Sequence, residues 1–223
     1  LTRDHLQRIW CGTASGAIHC LENGVVGPDR GNSLLGRIME LAEGPDGGVY
    51  AGSDRAILRI DPNGSPDRTI KCKFTLPNSP LGLRTLPAKD LCFAPDGKLW
   101  SSYFDIWSTK VGADMLLMSA SNATFTDRVQ NIHVDPRGRT WFATANGLYY
   151  VNSDGVKFLD QLSDHMGLRI SDITSWSTDT LLVATLGAGL RLIANERIVA
   201  EVEMSHGLVS NDVLRVRISD GKL

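Results

Sequence analysis

Residues 131–151, NIHVDPRGRTWFATANGLYYV, decide the fold, because versions of this stretch recur along the whole chain. It contains an apolar run, a turn at residues 135–138, the aromatic Trp141, a second turn at Asn146-Gly147, and another apolar run. Asn-Gly supplies the positive φ angles that a tight hairpin turn needs. Short apolar runs bounded by turn residues are typical of strands. The stretch therefore predicts two β-hairpins in series.

The residue that follows the first turn marks the equivalent position in each copy. These marker residues are Trp10, Tyr50, Trp100, Trp141 and Leu182, at intervals of 40, 50, 41 and 41 residues, and residues 208–223 repeat only the first half. Each copy has four short apolar runs, and no segment keeps a helical period. A repeat of about 40 residues with four strands is that of a β-propeller blade. We therefore expect an all-β propeller of four-stranded antiparallel blades, with residues 1–223 forming one propeller domain or a segment of one.

The number of half-repeats leaves the closure of the ring open. About five repeats are present, as five first halves and five second halves. The last half could pair with the first and close a five-bladed ring, or the chain could be an open arc of a larger ring. The fourth copy predicts strands at residues 129–134, 140–144, 148–152 and 156–159. Residues 61–86 hold four of the nine prolines and account for the long second interval, so we expect an enlarged outer strand and loop there.

Composition excludes some partners. A net charge of −2 and a pI near 6.2 argue against a nucleic-acid partner or an anionic membrane surface. No run approaches the ~20 apolar residues that span a bilayer, so we expect no direct membrane insertion. The four cysteines (Cys11, Cys20, Cys72, Cys92) lack C-x-x-C spacing. We interpret them as buried free thiols, with a disulfide as the alternative if the protein is exported.

The repeats resemble the two-component regulator propeller repeats of periplasmic sensor regions in hybrid histidine kinases, mostly from Bacteroidetes. Residues 207–213 (GLVSNDV) match the opening of that pattern, and residues 135–148 match its Asp-x-x-Gly, Trp-x-x-Thr and Gly-Leu elements. Residues 167–173 (GLRISDI) open another copy. The third copy departs, with Ser101-Ser102-Tyr103 where the family has Gly-Thr or Ala-Thr. The fifth copy lacks the aromatic.

The resemblance implies a function and a setting. Such sensor regions resemble paired seven-bladed propellers, which favours the arc and implies that further repeats of a longer chain are partners. It also implies a periplasmic or extracellular, non-enzymatic segment that binds a carbohydrate-derived ligand without a cofactor. A change in dimer arrangement would then signal to a kinase outside this chain, so a second copy is a candidate partner.

The ligand site is expected on the rim where the D-to-A and B-to-C loops of a propeller meet. Convergent polar side chains around a concavity suit a small ligand, and loops on a rigid scaffold can vary to fit it. These loops contain the candidate ligand-binding residues Arg84, Lys89, Asp105, Arg128, Gln130, Asn146, His165, Arg169, His206 and Asn211.

Other polar residues predict scaffold roles. Asp46, Asp96, Asp135 and Asp220 recur in the A-to-B turns, where an aspartate accepts hydrogen bonds from its own turn. His133, on an inner strand, is interpreted as a core or channel-lining residue. No hydrolase, zinc-protease, phosphate-loop or dinucleotide motif is present, and no catalytic or metal-binding residue is predicted. Two alternatives stay open: a lyase or lactonase-like propeller enzyme with a metal at the channel mouth, and a protein-interaction scaffold.

Overall fold

The structure is a computed structural model, and it describes residues 1–31, 35–63, 66–70, 88–102, 106–110, 116–117, 129–145, 147–152, 155–159 and 169–218. The chain divides into two compact units, Leu1–Met118 and Ser119–Leu223. Both are built from four-stranded antiparallel sheets, and the described residues are all-β apart from a short 3-10 turn at Met204–His206. No helix in the described part of the chain is long and apolar enough to cross a membrane.

The described residues of the first unit form three sheets, each of four strands consecutive in sequence. The first sheet contains β1 (Thr2–Arg3), β2 (Ile9–Gly12), β3 (Ile18–Glu22) and β4 (Val25–Val26). The second contains β5 (Ile38–Glu43), β6 (Val49–Ser53), β7 (Ile57–Ile60) and β8 (Pro66–Ile70). The third contains β9 (Asp90–Phe93), β10 (Lys98–Ser102), β11 (Ile106–Lys110) and β12 (Leu116–Leu117).

The described residues of the second unit form two further sheets. The fourth sheet contains β13 (Val129–Val134), β14 (Thr140–Thr144), β15 (Leu148–Asn152) and β16 (Gly155–Phe158). The fifth contains β17 (Ile170–Ser175), β18 (Thr180–Thr185), β19 (Leu190–Ala194) and β20 (Arg197–Val202). The first three strands of the fourth sheet have the bounds that the sequence predicts, and the last differs by one residue at each end. The predicted enlarged loop falls mostly outside the described residues.

Neighbouring sheets of a unit pack face to face, as the blades of a β-propeller do. In each sheet the marker residue lies on one face, here called the back face, and the residues beside it lie on the other, the front face. Trp10, on the back of the first sheet, shares a buried cluster with Val49 and Ala51, on the front of the second. Trp141, on the back of the fourth sheet, shares one with Leu181 and Val183, on the front of the fifth. Packing of back onto front is thus the repeating contact of the core.

One turn geometry joins the first and second strands of the first four sheets. The N–H of the first turn residue donates to the carbonyl oxygen of the fifth, and the N–H of the fourth turn residue donates to the carbonyl oxygen of the first. In the fourth sheet these bonds run from Asp135 N to Arg139 O (3.0 Å) and from Gly138 N to Asp135 O (2.8 Å). Gly47, Gly97 and Gly138 have positive φ at this fourth position, and in the first sheet Gln7 adopts φ 66° there. Glycine is favoured there because a side chain is strained at such angles.

A turn carboxylate anchors the marker tryptophan in two of the sheets. Asp135 Oδ2 accepts hydrogen bonds from Trp141 Nε1 (2.9 Å) and Arg139 Nε (2.7 Å), while Oδ1 accepts the N–H groups of Arg137 and Arg139. Burial alone would raise the pKa of Asp135, but the hydrogen bonds from Trp141 and Arg139 outweigh it and lower the pKa. The carboxylate therefore stays ionised inside the fold.

Asp4 repeats this arrangement in the first sheet. Its Oδ2 accepts Trp10 Nε1 (2.8 Å) and Arg8 Nε (2.7 Å), and its pKa is lowered because these hydrogen bonds outweigh the effect of burial. Asp46 stands two positions later in its turn and accepts the Tyr50 hydroxyl (3.1 Å). The structural role predicted for the turn aspartates is confirmed for Asp46, Asp96 and Asp135, whose carboxylates accept backbone N–H groups of their own turns, and Asp220 lies outside the described residues. They occupy different turn positions, and the sequence reading missed Asp4.

Candidate ligand-binding rim

The D-to-A and B-to-C loops lie on a common side of each unit, because their backbones are hydrogen-bonded to one another. In the first unit, Asp54 N, in a B-to-C loop, donates to Arg37 O (3.2 Å), just before β5. In the second unit, Leu186 N donates to Arg169 O (2.8 Å) and Gly189 N to Asn211 O (2.8 Å). The placement predicted for these loops is therefore confirmed within each unit.

A hydroxyl at the end of the second strand closes most B-to-C loops. Thr144 Oγ1 donates to Gly147 O (3.0 Å), and Thr185 Oγ1 donates to Gly189 O (2.9 Å). Ser53 Oγ donates to Ala56 O (2.7 Å) in the second sheet. These residues are three positions after the marker, where the third copy has Tyr103, which lies outside the described residues. The hydroxyl sets the loop's width and so positions the residues on the rim.

Lys89 is the described candidate of the first unit. It is half-buried just before β9, and its N–H donates to Ser102 O (2.7 Å), which ties it to the end of β10. Gln130 is the corresponding residue of β13 in the second unit. It occupies a β-bulge between Val129 and Asn131 and is half-buried. A bulge re-aims a side chain relative to a regular strand, and β5 and β17 have equivalent bulges.

Arg169, His206 and Asn211 are the other described candidates of the second unit. Arg169 is exposed immediately before β17. His206 Nδ1 accepts the N–H of Glu203 (3.2 Å), and Asn211 Oδ1 accepts the N–H of Met204 (2.8 Å). These bonds hold the loop that follows β20, so His206 and Asn211 each use one polar atom to shape the rim. Arg169 is therefore the candidate of this group whose charged side chain is exposed to solvent.

Five candidates lie outside the described residues. They are Arg84, Asp105, Arg128, Asn146 and His165. Their assignment to the rim stays a prediction from the sequence.

A buried arginine supports the rim of the second unit and was not found from the sequence. Arg191 is 5% exposed, and its Nη2 lies 2.7 Å from Glu203 Oε1 and 3.6 Å from Glu201 Oε2. Its Nη1 donates to Leu190 O (3.2 Å). Arg191 therefore connects β19 to the loop that contains His206. The sequence signal for this buried ion pair is an arginine in an otherwise apolar strand, with two glutamates, Glu201 and Glu203, in or just after the next strand.

The A-to-B turns form the opposite side of each unit, and a cleft opens there in the first unit. Its volume is about 500 Å³, and it is lined by His5, Glu43, Pro62 and residues 44–47. His5 N donates to both carboxylate oxygens of Glu43 (3.0 and 2.9 Å), and His5 Nδ1 also contacts Oε1. The polar groups of this cleft thus join the first and second sheets.

His133 joins the two sheets of the second unit. Its Nε2 lies 2.7 Å from Ser175 Oγ, so a hydrogen bond connects β13 to β17. Burial lowers the pKa of His133, which favours the neutral imidazole. His133 is half-buried and has a hydrogen-bond partner, which agrees with the structural role expected of a core or channel-lining histidine. Asp172, also on β17, is fully buried and accepts the N–H of Val216 (3.0 Å) and Arg217 Nη1 (2.8 Å).

Three of the four cysteines lie in the described parts of the chain. Cys11, Cys20 and Cys92 are free thiols. Cys20 is buried as expected, Cys92 is only half-buried, and Cys11 is exposed, which contradicts its interpretation as a buried thiol. Cys72 lies outside the described residues. Within those residues, no three His, Cys, Asp or Glu side chains are grouped so that they could hold a metal ion.

Solved structures share this architecture, although no protein-family model and no curated protein matches the sequence. The extracellular domain of a putative hybrid two-component system from B. thetaiotaomicron matches 93% of this chain with a TM-score of 0.67 and 16% identity. PorZ, a surface component of the type-IX secretion system of Porphyromonas gingivalis, matches 96% with a TM-score of 0.70 and 15% identity. Virginiamycin B lyase from Staphylococcus aureus matches 90% with a TM-score of 0.68 and 18% identity. The chain has a β-propeller fold.

The matched regions are parts of longer chains. This chain spans 29% of the sensor protein's chain, 35% of PorZ and 68% of the lyase. A second sensor ectodomain from B. thetaiotaomicron also matches, with a TM-score of 0.67 at 13% identity and 26% of its length. The two-component sensor ectodomains among these structures agree with the resemblance of the repeats, and at these identities the likeness concerns the fold alone.

Proposed function

We propose that the chain is a ligand-sensing, extracytoplasmic propeller segment of a two-component sensor, and that its rim binds a carbohydrate-derived ligand. The observation that supports this most directly is the rim itself. Hydrogen bonds among the loop backbones hold Arg169 and Asn211 together beside one B-to-C loop. The resemblance of the repeats and the sensor ectodomains among the similar structures support the same class of function.

The proposal separates a rigid scaffold from a variable site. The turn backbone is the same in the first four sheets and the marker residue is buried in all five, whereas the rim residues differ from one copy to the next. A segment of this kind performs no chemistry: its ligand would shift the balance between two arrangements of the parent protein. Such a ligand must bind one arrangement more tightly than the other, because equal affinity shifts nothing.

The proposal also includes an open arc of about five repeats rather than a closed five-bladed ring. Closure would require the last half-repeat to pair with β2 as its inner neighbour. β1 already occupies that position, since Thr2 pairs with Trp10 and Arg3 with Ile9. The described segment that follows β20 instead packs on the back of the fifth sheet, where Val216 is buried against Leu182. Both observations favour the arc.

The ligand is tested with the natural full-length protein and a panel of glycan fragments. Binding is expected to raise the Tm, because a ligand that binds only the folded state stabilises it by mass action. Arg169→Ala is expected to weaken binding of the active fragment by about tenfold or more, the loss of a charged hydrogen bond. Affinity is measured by isothermal titration calorimetry.

Arg197→Ala is the matched control, because Arg197 is an exposed arginine on the outer strand β20. It should leave affinity unchanged. Equal effects of the two substitutions would contradict the rim assignment. If no fragment of the panel shifts the Tm, carbohydrate sensing is wrong for this protein.

A lyase is the second candidate function, and the similarity to virginiamycin B lyase is the observation that favours it. This function would require a metal held by rim residues. Metal analysis of the purified full-length protein distinguishes the two candidates. One equivalent of a divalent ion, lost on substitution of rim side chains, would favour the lyase over the sensor.

A further inference from the structure

The front face of the first sheet is an apolar surface that the equivalent sheets bury. Its apolar part is Ile9, Cys11, Leu21 and Val26, and the polar Arg3 and His19 share the same face, because Ile9 pairs with both Arg3 and Leu21, Cys11 with His19, and Leu21 with Val26. Ile9 is 41% exposed and Val26 64% exposed. Large exposed apolar patches mark sites of interaction.

The fifth sheet has the same positions in the same register. Leu181 pairs with Ile193, Val183 with Arg191, and Ile193 with Ile198. Here Leu181, the residue before the marker, is 4% exposed, and Val183 and Ile193 are 0% and 2% exposed. The difference arises from packing, because Trp141 and its neighbours in the fourth sheet cover this face.

The second sheet confirms the comparison inside the first unit. Val49 and Ala51 stand where the first sheet has Ile9 and Cys11, and they are 1% and 0% exposed. Trp10 and Ile18, on the back of the first sheet, cover them. The covered front faces thus share one kind of neighbour: the back face of a preceding sheet with an aromatic marker residue and an apolar residue at the start of its third strand.

We propose that the front face of the first sheet is a docking surface for the back face of another propeller repeat, one that has an aromatic marker residue. The occupant differs from the five described sheets of this chain. All five marker residues are already buried: Trp10, Tyr50, Trp100, Trp141 and Leu182 are each at most 3% exposed. A second copy of the chain therefore has no uncovered marker to offer, and an additional repeat of the parent protein fits the surface.

This inference deepens the proposed arc and rests on it, but it does not depend on the ligand. Cys11 provides a direct probe, because the reactivity of a thiol follows its exposure. In the natural full-length protein, a short pulse of N-ethylmaleimide followed by peptide mass spectrometry measures the labelling rate of Cys11. The reference is the thiol introduced by Val199→Cys, on β20, where Val199 is 59% exposed.

Cys11 is expected to react about tenfold more slowly than the reference thiol, since a covered thiol reacts only when the interface opens. Equal rates would overturn the docking surface. Protection that disappears on dilution would show that a second copy covers the face, which also overturns the proposal. If the protein binds a glycan and Cys11 reacts as fast as the reference thiol, only the docking surface is refuted. If Cys11 is protected and no glycan binds, only the proposed carbohydrate ligand is refuted.

A pair of substitutions gives an independent measurement in the same full-length protein. Ile9→Ala is expected to lower the Tm by at least half as much as Leu181→Ala, because both residues then lie under a packed sheet. If the face is open, Ile9→Ala changes the Tm only slightly while Leu181→Ala still lowers it. Alanine keeps the strand intact in both variants, so both should fold.

Discussion

Removing the carboxylate of Asp135 tests whether the turn anchors the tryptophan. Asp135→Ala removes all four hydrogen bonds that the carboxylate accepts, two from backbone N–H groups and two from the side chains of Arg139 and Trp141. Trp141 is 2% exposed, so its indole N–H cannot turn to water. The Arg139 side chain is about a quarter exposed and can rehydrate in part.

The magnitude follows from these contacts. An orphaned buried donor costs about 1–3 kcal/mol, and the lost hydrogen bonds to the carboxylate add about 1.5–3 kcal/mol each before rehydration of the exposed partners is deducted. We expect the free energy of unfolding to fall by about 3–5 kcal/mol, within the range of large single-residue effects. At about 2–4 °C per kcal/mol, the Tm should fall by roughly 10 °C.

Urea unfolding followed by far-UV circular dichroism measures the change, and the exchange rate of the Trp141 indole N–H reports the anchor itself. Asp96→Ala is the control, because Asp96 is exposed and its carboxylate accepts the N–H of Lys98 (3.0 Å). That variant should lose no more than about 1 kcal/mol. If Asp135→Ala loses no more than Asp96→Ala, or if the indole N–H exchanges at its original rate, the anchoring argument is refuted.

Two further perturbations test the packing of the second unit. His133→Gln should flatten the pH dependence of stability below about pH 6.5, the ordinary pKa of histidine. Burial lowers the pKa of His133 in the folded protein, so below that pH the unfolded chain binds more protons at this residue than the folded chain does. The original protein therefore loses stability as the pH falls, and the variant should lose less. Urea midpoints of both proteins between pH 7 and 5 decide this, and parallel curves would contradict it. Gly189→Ala should lower the Tm far more than Gly24→Ala. Both glycines have positive φ, but a Cβ at Gly189 would clash with Val202 O, whereas a Cβ at Gly24 would point into open space. Similar thermal melts of the two variants would count against this account.

The sequence predicts the strands well because each hairpin is specified locally. Asn-Gly, Asp-x-x-Gly and alternating apolar residues place the first three strands of the fourth sheet at their observed bounds. The carboxylate–tryptophan bond of Asp4 was missed because its turn has Gln7 in place of the glycine that marks the other copies. Local pattern alone does not reveal that a non-glycine residue accepts φ 66°.

The candidate site was less accessible from the sequence, because polarity does not distinguish a ligand contact from a loop bond. Polarity and position make His206 and Asn211 candidates, and in the structure each of them holds the loop after β20. Arg191 was passed over because its strand is otherwise apolar, although its guanidinium supports the rim. Whether a polar side chain hydrogen-bonds to its own loop or faces a ligand depends on contacts between strands, and these contacts cannot be read from the sequence.

The turn carboxylate also has a consequence for how such a protein can diversify. Because Asp135 and Asp4 each bond within seven consecutive residues, the anchor is copied whole whenever a repeat is duplicated. The fifth sheet has Trp176 at that turn position and Leu182 as its marker, and its core is nevertheless closed. An inherited copy can therefore lose the anchor and keep its shape, which leaves its rim loops free to acquire a different specificity from those of its neighbours.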